Sequence, residues 1–132
     1  LILLDATVLI HYLKGDVRIA AAIRKTARTE LALPSIVFYE LEYGTLRSGM
    51  PERRRRQLEI ALVSIERIPF DTDAAMAAAR VRIGLEKRGL RIGPLDLLIA
   101  GTAMSRGATL VTNNLAEFSR IDGLHVTDWN SE

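Results

Sequence analysis

The chain opens on four apolar residues, Leu1–Leu4 (LILL), followed at once by a carboxylate, Asp5. A strand with one face in water alternates apolar and polar residues. An unbroken apolar run belongs instead to a strand covered on both faces, the central strand of a parallel sheet. Parallel neighbours need crossover connections, usually helices, so this short segment commits the chain to strands alternating with helices. The rest of the sequence complies. Val8–Lys14 reads as a short helix, Gly15 and Asp16 as a turn, and Val17–Thr29 as a helix with Ile19, Ala20, Ile23 and Ala27 on one face. Leu31–Leu33 is a second strand, broken by Pro34, and Ser35 is placed to cap a helix running from Ile36 to Arg47. Glu52–Ile65 forms the next helix and Ile68–Phe70 the third strand. Asp71 then caps an alanine-rich helix, Thr72–Arg88, that ends at Gly89. Its alanines predict close packing against another helix, within the chain or across a subunit interface. His125–Thr127 is the last strand. One α/β domain with an open, mostly parallel sheet covered on both sides is expected across residues 1–132.

The stretch Ile92–Phe118 carries the densest information. Pro94 suits the first turn of a helix, and Asp96 falls in that turn, where the dipole favours a carboxylate. Leu97–Ala100 continues as an apolar run, and Gly107 closes the helix. Thr109–Thr112 reads as a buried strand with Asn113 and Asn114 at its end. Asp5, Asp96 and Asn114 therefore gather near the carboxyl edge of the sheet, where open α/β folds keep their sites. Glu40 lies on the helix after the second strand, on the stripe shared by Ile36 and Gly44, so it points toward the core or a cleft. Two plainer readings stand beside this one: Asp5 as a helix cap, and Glu40 as the partner of an arginine.

Composition narrows the chemistry. At 132 residues, 48% hydrophobic and 26% charged, the chain is an ordinary globular domain with a sizeable core. It has no cysteine, which excludes disulfides, thiol catalysis and cysteine zinc sites and fits a reducing compartment. No apolar run approaches the ~20 residues of a membrane span. The start has no basic n-region or cleavage site, so secretion is not expected and a cytoplasmic location is. The first residue is Leu, so an initiator Met is expected to precede it. The net charge is only +2, yet gathering four acids in one pocket leaves 18 basic against 12 acidic groups elsewhere. An acidic centre within a basic surface suits a polyanion.

Three carboxylates and a carboxamide crowded together need protonation or a cation. Oxygen ligands without cysteine, and with only two histidines, point to Mg²⁺ or Mn²⁺, which align a phosphate and activate water. No Ser-His-Asp set competes, and neither GxGxxG nor GxxxxGK[ST] occurs.

Three segments carry a wider likeness: LLDATVLI, IVFYELEYG, and GPLDLLIAGTAMSRGATLVTNNLAEFSRIDGL with VTDW after it. In these the chain resembles a PIN-domain ribonuclease of the VapC toxin family, over essentially all 132 residues. The resemblance implies a PIN-like three-layer α/β/α fold on a five-stranded parallel sheet, a homodimer, and Mg²⁺- or Mn²⁺-dependent RNA cleavage. It further implies a cognate antitoxin that wraps the toxin, a toxin–antitoxin complex that binds operator DNA through the antitoxin, and tRNA cut in the anticodon region as substrate. Asp5, Glu40 and Asp96 match the family's core acids, as catalytic residues and metal ligands. Asn114 matches the fourth catalytic and metal-binding position, often Asp in other members. Thr7 matches a small polar residue that supports the first acid, and Thr112 a family threonine. Glu117, three residues past Asn114, compensates for the missing acid if the segment turns helically.

Two other enzyme-like readings fail on the residues. A haloacid-dehalogenase phosphatase needs a second Asp where Thr7 stands, and a receiver domain needs a paired acid and a late lysine. The rival of a different class is a non-catalytic RNA-binding or interaction module. Arg53–Arg56 and Arg88–Arg91 are the candidate contacts to an RNA backbone, with a solvated helix face as the plain alternative for the first.

Overall fold

The computed structural model describes residues 1–130. The first strand, β1 (Ile2–Leu4), lies at the centre of a five-stranded sheet of order β3-β2-β1-β4-β5. On one side it pairs in parallel with β2 (Leu31–Pro34), Leu3 opposite Ala32; on the other with β4 (Thr109–Val111), Leu3 opposite Leu110. β3 (Glu66–Ile68) and β5 (His125–Thr127) are the edges, and every pairing is parallel. Leu3 and Leu4 are fully buried, as a strand without alternation requires. The helices are α1 (Ala6–Leu13), α2 (Val17–Lys25), α3 (Ser35–Arg47), α4 (Pro51–Ala61), α5 (Thr72–Lys87), α6 (Pro94–Ser105) and the single turn α7 (Leu115–Phe118). The expected α/β fold is present.

Chain direction reverses its order across β1: from β1 the chain builds outward through β2 and β3, then returns to add β4 and β5 on the other side. The carboxyl ends of β1 and β4 therefore meet at a switch point, with Asp5 ending one strand and Thr112 the other. Such a crevice is where open parallel sheets place ligands.

Some local expectations need correction. β3 covers Glu66–Ile68, two residues earlier than Ile68–Phe70, because only Ile68 of this edge strand is buried and the exposed Glu66 and Arg67 hide its pattern. α4 stops at Ala61, short of Ile65; the chain turns through Ser64 at φ +64°. The Arg28 guanidinium holds that corner, donating to the carbonyls of Ala61 and Val63 at 3.0 Å each. α2 ends at Lys25 and a 3₁₀ turn, Arg28–Glu30, replaces its expected last turn. Ser35 is the first residue of α3 and caps nothing; Pro34 precedes the helix.

The alanines of α5 do meet another helix, and it is α6 of the same chain. A side chain on Gly101 would come within 2.6 Å of Ala78 Cβ and 2.8 Å of the Ala74 carbonyl, so the two helices touch almost backbone to backbone. That contact fixes where α6, and with it Asp96, sits on the sheet. Gly107, at φ +59°, ends α6 and turns the chain into β4.

Candidate active site

Asp5 is buried to 5% exposure immediately after β1. It caps α1, with Oδ1 accepting from the Ala6 N–H at 2.8 Å, while Oδ2 accepts from the Thr112 hydroxyl at 2.7 Å. The cap reading is correct, and the same carboxylate stands at the switch point between β1 and β4. Burial pushes the Asp5 carboxyl above its ordinary value, although both hydrogen bonds pull it down.

Thr112 is wholly buried at the end of β4 and also accepts from the Asn114 N–H at 3.0 Å. Asn114 Nδ2 in turn donates to Asp96 Oδ2 at 3.2 Å and to Glu117 Oε2 at 3.1 Å. Glu117 reaches this point because α7 does turn helically. The Asp96 carboxyl is pushed up to about 7, first by burial, then by its hydrogen bond to Glu117 and the charges of Asp5, Glu117 and Glu40. Glu117 moves the opposite way, lowered first by the hydrogen bond from Asp96 and then by that from Asn114. Of the two carboxyls, Asp96 is therefore the one whose protonated form is favoured.

Glu40 looks into the same crevice from α3. Its pKa is raised by burial and by the Asp5 charge, and its Oε1 is buried with no hydrogen-bond partner. Among the described residues no basic side chain is paired with Asp5, Glu40 or Asp96. The arginine partner that would have made Glu40 structural is absent; Arg55, on α4, pairs with Glu42 instead. Thr7 is exposed and makes no hydrogen bond to Asp5, so the hydroxyl supporting the first acid is that of Thr112.

Among the described residues no three Asp, Glu or His side chains stand close enough together to grip an ion as they are placed. Carboxylates of like charge do not close on one point without a cation between them. The donor set still fits one: oxygen ligands only, an orphaned Glu40 oxygen, and the acids Glu40 and Asp96 raised in pKa by burial and then by neighbouring carboxylates. A cavity of about 520 Å³ between α5 and the Arg120–Asp122 turn contains none of these acids.

A family model for the PIN domain matches residues 2–124. Over 101 residues the chain is 41% identical to the tRNA(fMet)-specific endonuclease VapC of Salmonella typhimurium, which covers 76% of each chain. The chain belongs to the VapC family of PIN-domain ribonucleases. Its fold superposes on VapBC2 from Rickettsia felis, solved bound to a DNA fragment from its promoter, with a TM-score of 0.92 and 35% identity over 97% of this chain and 98% of that one. DNA-bound VapBC from Salmonella typhimurium gives 0.90 and 36%, over 97% of each chain.

One polar cluster beside the VapC acids carried no sequence signal. Asn113 Nδ2 lies 3.1 Å from His11 Nδ1 on α1, and its Oδ1 accepts from Asn130 Nδ2 at 3.1 Å. Asn113 therefore ties α1 to the chain beyond β5, leaving Asn114 alone to face the acids.

Proposed function

We propose that this VapC protein cleaves tRNA in the anticodon region by a reaction that depends on Mg²⁺ or Mn²⁺. The observation that carries it is the set Asp5, Glu40 and Asp96: three half-buried or buried acids from three elements, all raised in pKa by burial, Glu40 and Asp96 also by neighbouring carboxylates, with no basic partner among the described residues. Such a set is costly to keep unless a cation and a phosphate use it. The tRNA(fMet)-specific name of the Salmonella relative supports tRNA as the substrate class.

Asp5, Glu40 and Asp96 would hold the cation, with Asn114 and Glu117 beside them. When bound, a divalent cation supplies the charge that aligns a phosphate and makes water a nucleophile near neutral pH. Asp5 is the fixed member, because the Ala6 N–H and the Thr112 hydroxyl leave its carboxylate one orientation. Glu40 Oε1 is free of hydrogen bonds and so is available to a cation or to the attacking water. A cation in the crevice would favour the ionised form of Asp96, the form able to hold it.

The same reading makes the protein a toxin, a homodimer held inactive by a cognate antitoxin, in a complex that binds operator DNA through the antitoxin; the DNA-bound complexes of its structural relatives support this. No helix of the described residues is long and apolar enough to cross a membrane. The test is to incubate purified protein with total tRNA in Mg²⁺, Mn²⁺ or chelator, and to map RNA ends after brief expression in a bacterium. New ends confined to one tRNA anticodon loop, formed only with the cation, are expected. Cleavage that persists in chelator, or ends scattered over all RNA, would overturn the reading.

A further inference from the structure

The position matched to a fourth acid holds Asn114, and its amide nitrogen faces acids. Nδ2 stands 3.2 Å from Asp96 Oδ2 and 3.1 Å from Glu117 Oε2. A carboxamide nitrogen carries two N–H donors, and an ionised carboxylate carries none. The geometry therefore uses a property that Asp in the same place would lack. Asn114 is itself fixed, its backbone N–H held at 3.0 Å by Thr112 Oγ1, whose hydroxyl donates to Asp5 Oδ2 at 2.7 Å. One line of hydrogen bonds runs from Asp5 through Thr112 and Asn114 and divides there to Asp96 and Glu117. It joins the ends of β1 and β4 to α6 and α7, so the acids are set relative to one another by polar contacts as well as by the sheet.

We propose that Asn114 is a positioning residue whose two donors bracket Asp96 and Glu117, and that Asn114 does not itself bind the cation. Two acids this close to a common point repel, and a shared donor pair offsets that repulsion before any cation arrives. The helical turn Leu115–Phe118 is what brings Glu117 within reach, three residues beyond Asn114. Asn114→Asp would remove both donors and put a third negative charge between the other two. The proposal rests on the divalent-dependent reading above.

A double-mutant cycle tests it. Asn114→Ala, Glu117→Gln and the double variant are compared with the parent protein for Mn²⁺ affinity by calorimetry and for kcat and KM on tRNA. Residues that act through one carboxylate lose its contribution once, not twice. Each single change is expected to weaken Mn²⁺ binding and lower kcat by about tenfold, with KM within about twofold of the parent, and the double variant to be no worse than Glu117→Gln alone. Asn114→Ser keeps one donor and is expected to recover part of the loss; it replaces Asn114→Ala in the cycle if the alanine variant melts early. Losses that multiply to about a hundredfold in the double variant would mean that Asn114 binds the cation on its own, and the bracket would be wrong. Unchanged Mn²⁺ affinity in Asn114→Ala would also overturn it. Calorimetry reads the bracket without any RNA cleavage. Failure of the parent protein to cut RNA with any divalent cation would instead bring down the functional reading.

Discussion

Thr112 Oγ1 stands 2.7 Å from Asp5 Oδ2, joining residues 107 positions apart in the chain. Both are buried, one at the end of β4 and the other at the end of β1. Thr112→Val keeps the shape and removes the donor, leaving a buried carboxylate oxygen without a partner. That costs about 1–3 kcal/mol. Urea denaturation in chelator should show a loss of this size with an unchanged m-value, together with lost RNA cleavage. Unchanged stability would mean that water reaches Asp5 Oδ2 in place of the hydroxyl.

The core acids should not respond alike to substitution. Asp96→Asn removes charge repelled by Asp5, Glu40 and Glu117 while keeping the side chain's shape, so metal-free stability should hold or rise as cleavage is lost. Asp5→Ala also relieves repulsion, but it deletes the cap of α1 and leaves the Thr112 hydroxyl proton without its acceptor. The cap alone is worth about 1 kcal/mol, so this variant should be less stable than Asp96→Asn while equally inactive. Calorimetric melting of both proteins in chelator gives the order; a more stable Asp5→Ala would contradict it.

The pH dependence of the metal-free protein follows from Asp96. Its carboxyl is raised from an ordinary 3.8 to about 7 in the folded state. The folded protein therefore binds more protons than the unfolded chain between those values. Stability is fully present below about pH 4 as far as this group is concerned, and is lost as pH rises through about 7. The site is half open to solvent, so the change is on the order of 1 kcal/mol after screening. Melting temperatures in chelator should fall across this window, and Asp96→Asn should flatten the fall. Saturating Mn²⁺ should remove it in the parent protein. A melting temperature that rises with pH through the same window in chelator would reverse the sign and place the proton elsewhere.

Gly101→Ala tests the packing that carries Asp96. The added methyl would sit 2.6 Å from Ala78 Cβ and 2.8 Å from the Ala74 carbonyl, so α5 and α6 must separate. Overpacking of this kind costs about 1–3 kcal/mol. Denaturation should show that loss, and cleavage should fall with it, because α6 sets the position of Asp96. Full activity at parental stability would mean that the helices slide apart freely.

The acids were readable because each follows a strong local signal: an unbroken apolar strand before Asp5, helical spacing around Glu40, Pro94 at a helix start before Asp96. What joins them was not. The Thr112–Asp5 bond spans 107 positions and has no local pattern; the family resemblance marked both Thr7 and Thr112, and assigned the support of the first acid to Thr7. β3 was misplaced for the opposite reason. An edge strand with one buried residue leaves little periodicity to read, and Pro69 and Phe70 resembled its continuation. Ser35 has the composition of a cap, but parallel pairing carries β2 through Pro34, which leaves Ser35 inside the helix.

The arginine runs divide once their partners are known. Arg88 donates to the Arg120 carbonyl at 2.6 Å and lies 3.6 Å from Asp122, while Arg120 donates to the Arg91 carbonyl at 2.7 Å. Arg88 therefore ties α5 to the turn before β5, and its loss should lower stability more than RNA affinity. In the other run Arg55 is paired with Glu42, whereas Arg53, Arg54 and Arg56 are exposed. Arg54 lines the same cleft as Glu40, so a phosphate held there would lie beside the acidic crevice. Contacts of this kind weaken with salt and carry no sequence information. Arg53→Gln with Arg54→Gln should therefore lower tRNA affinity and reduce the slope of log K against log salt by about one per lost phosphate contact, without moving the cut site. Binding measured across a salt series on a catalytically dead background gives the slope, and RNA-end mapping on the active one gives the site. An unchanged slope would leave Arg53 and Arg54 as a solvated helix face and put the grip on RNA elsewhere on the protein.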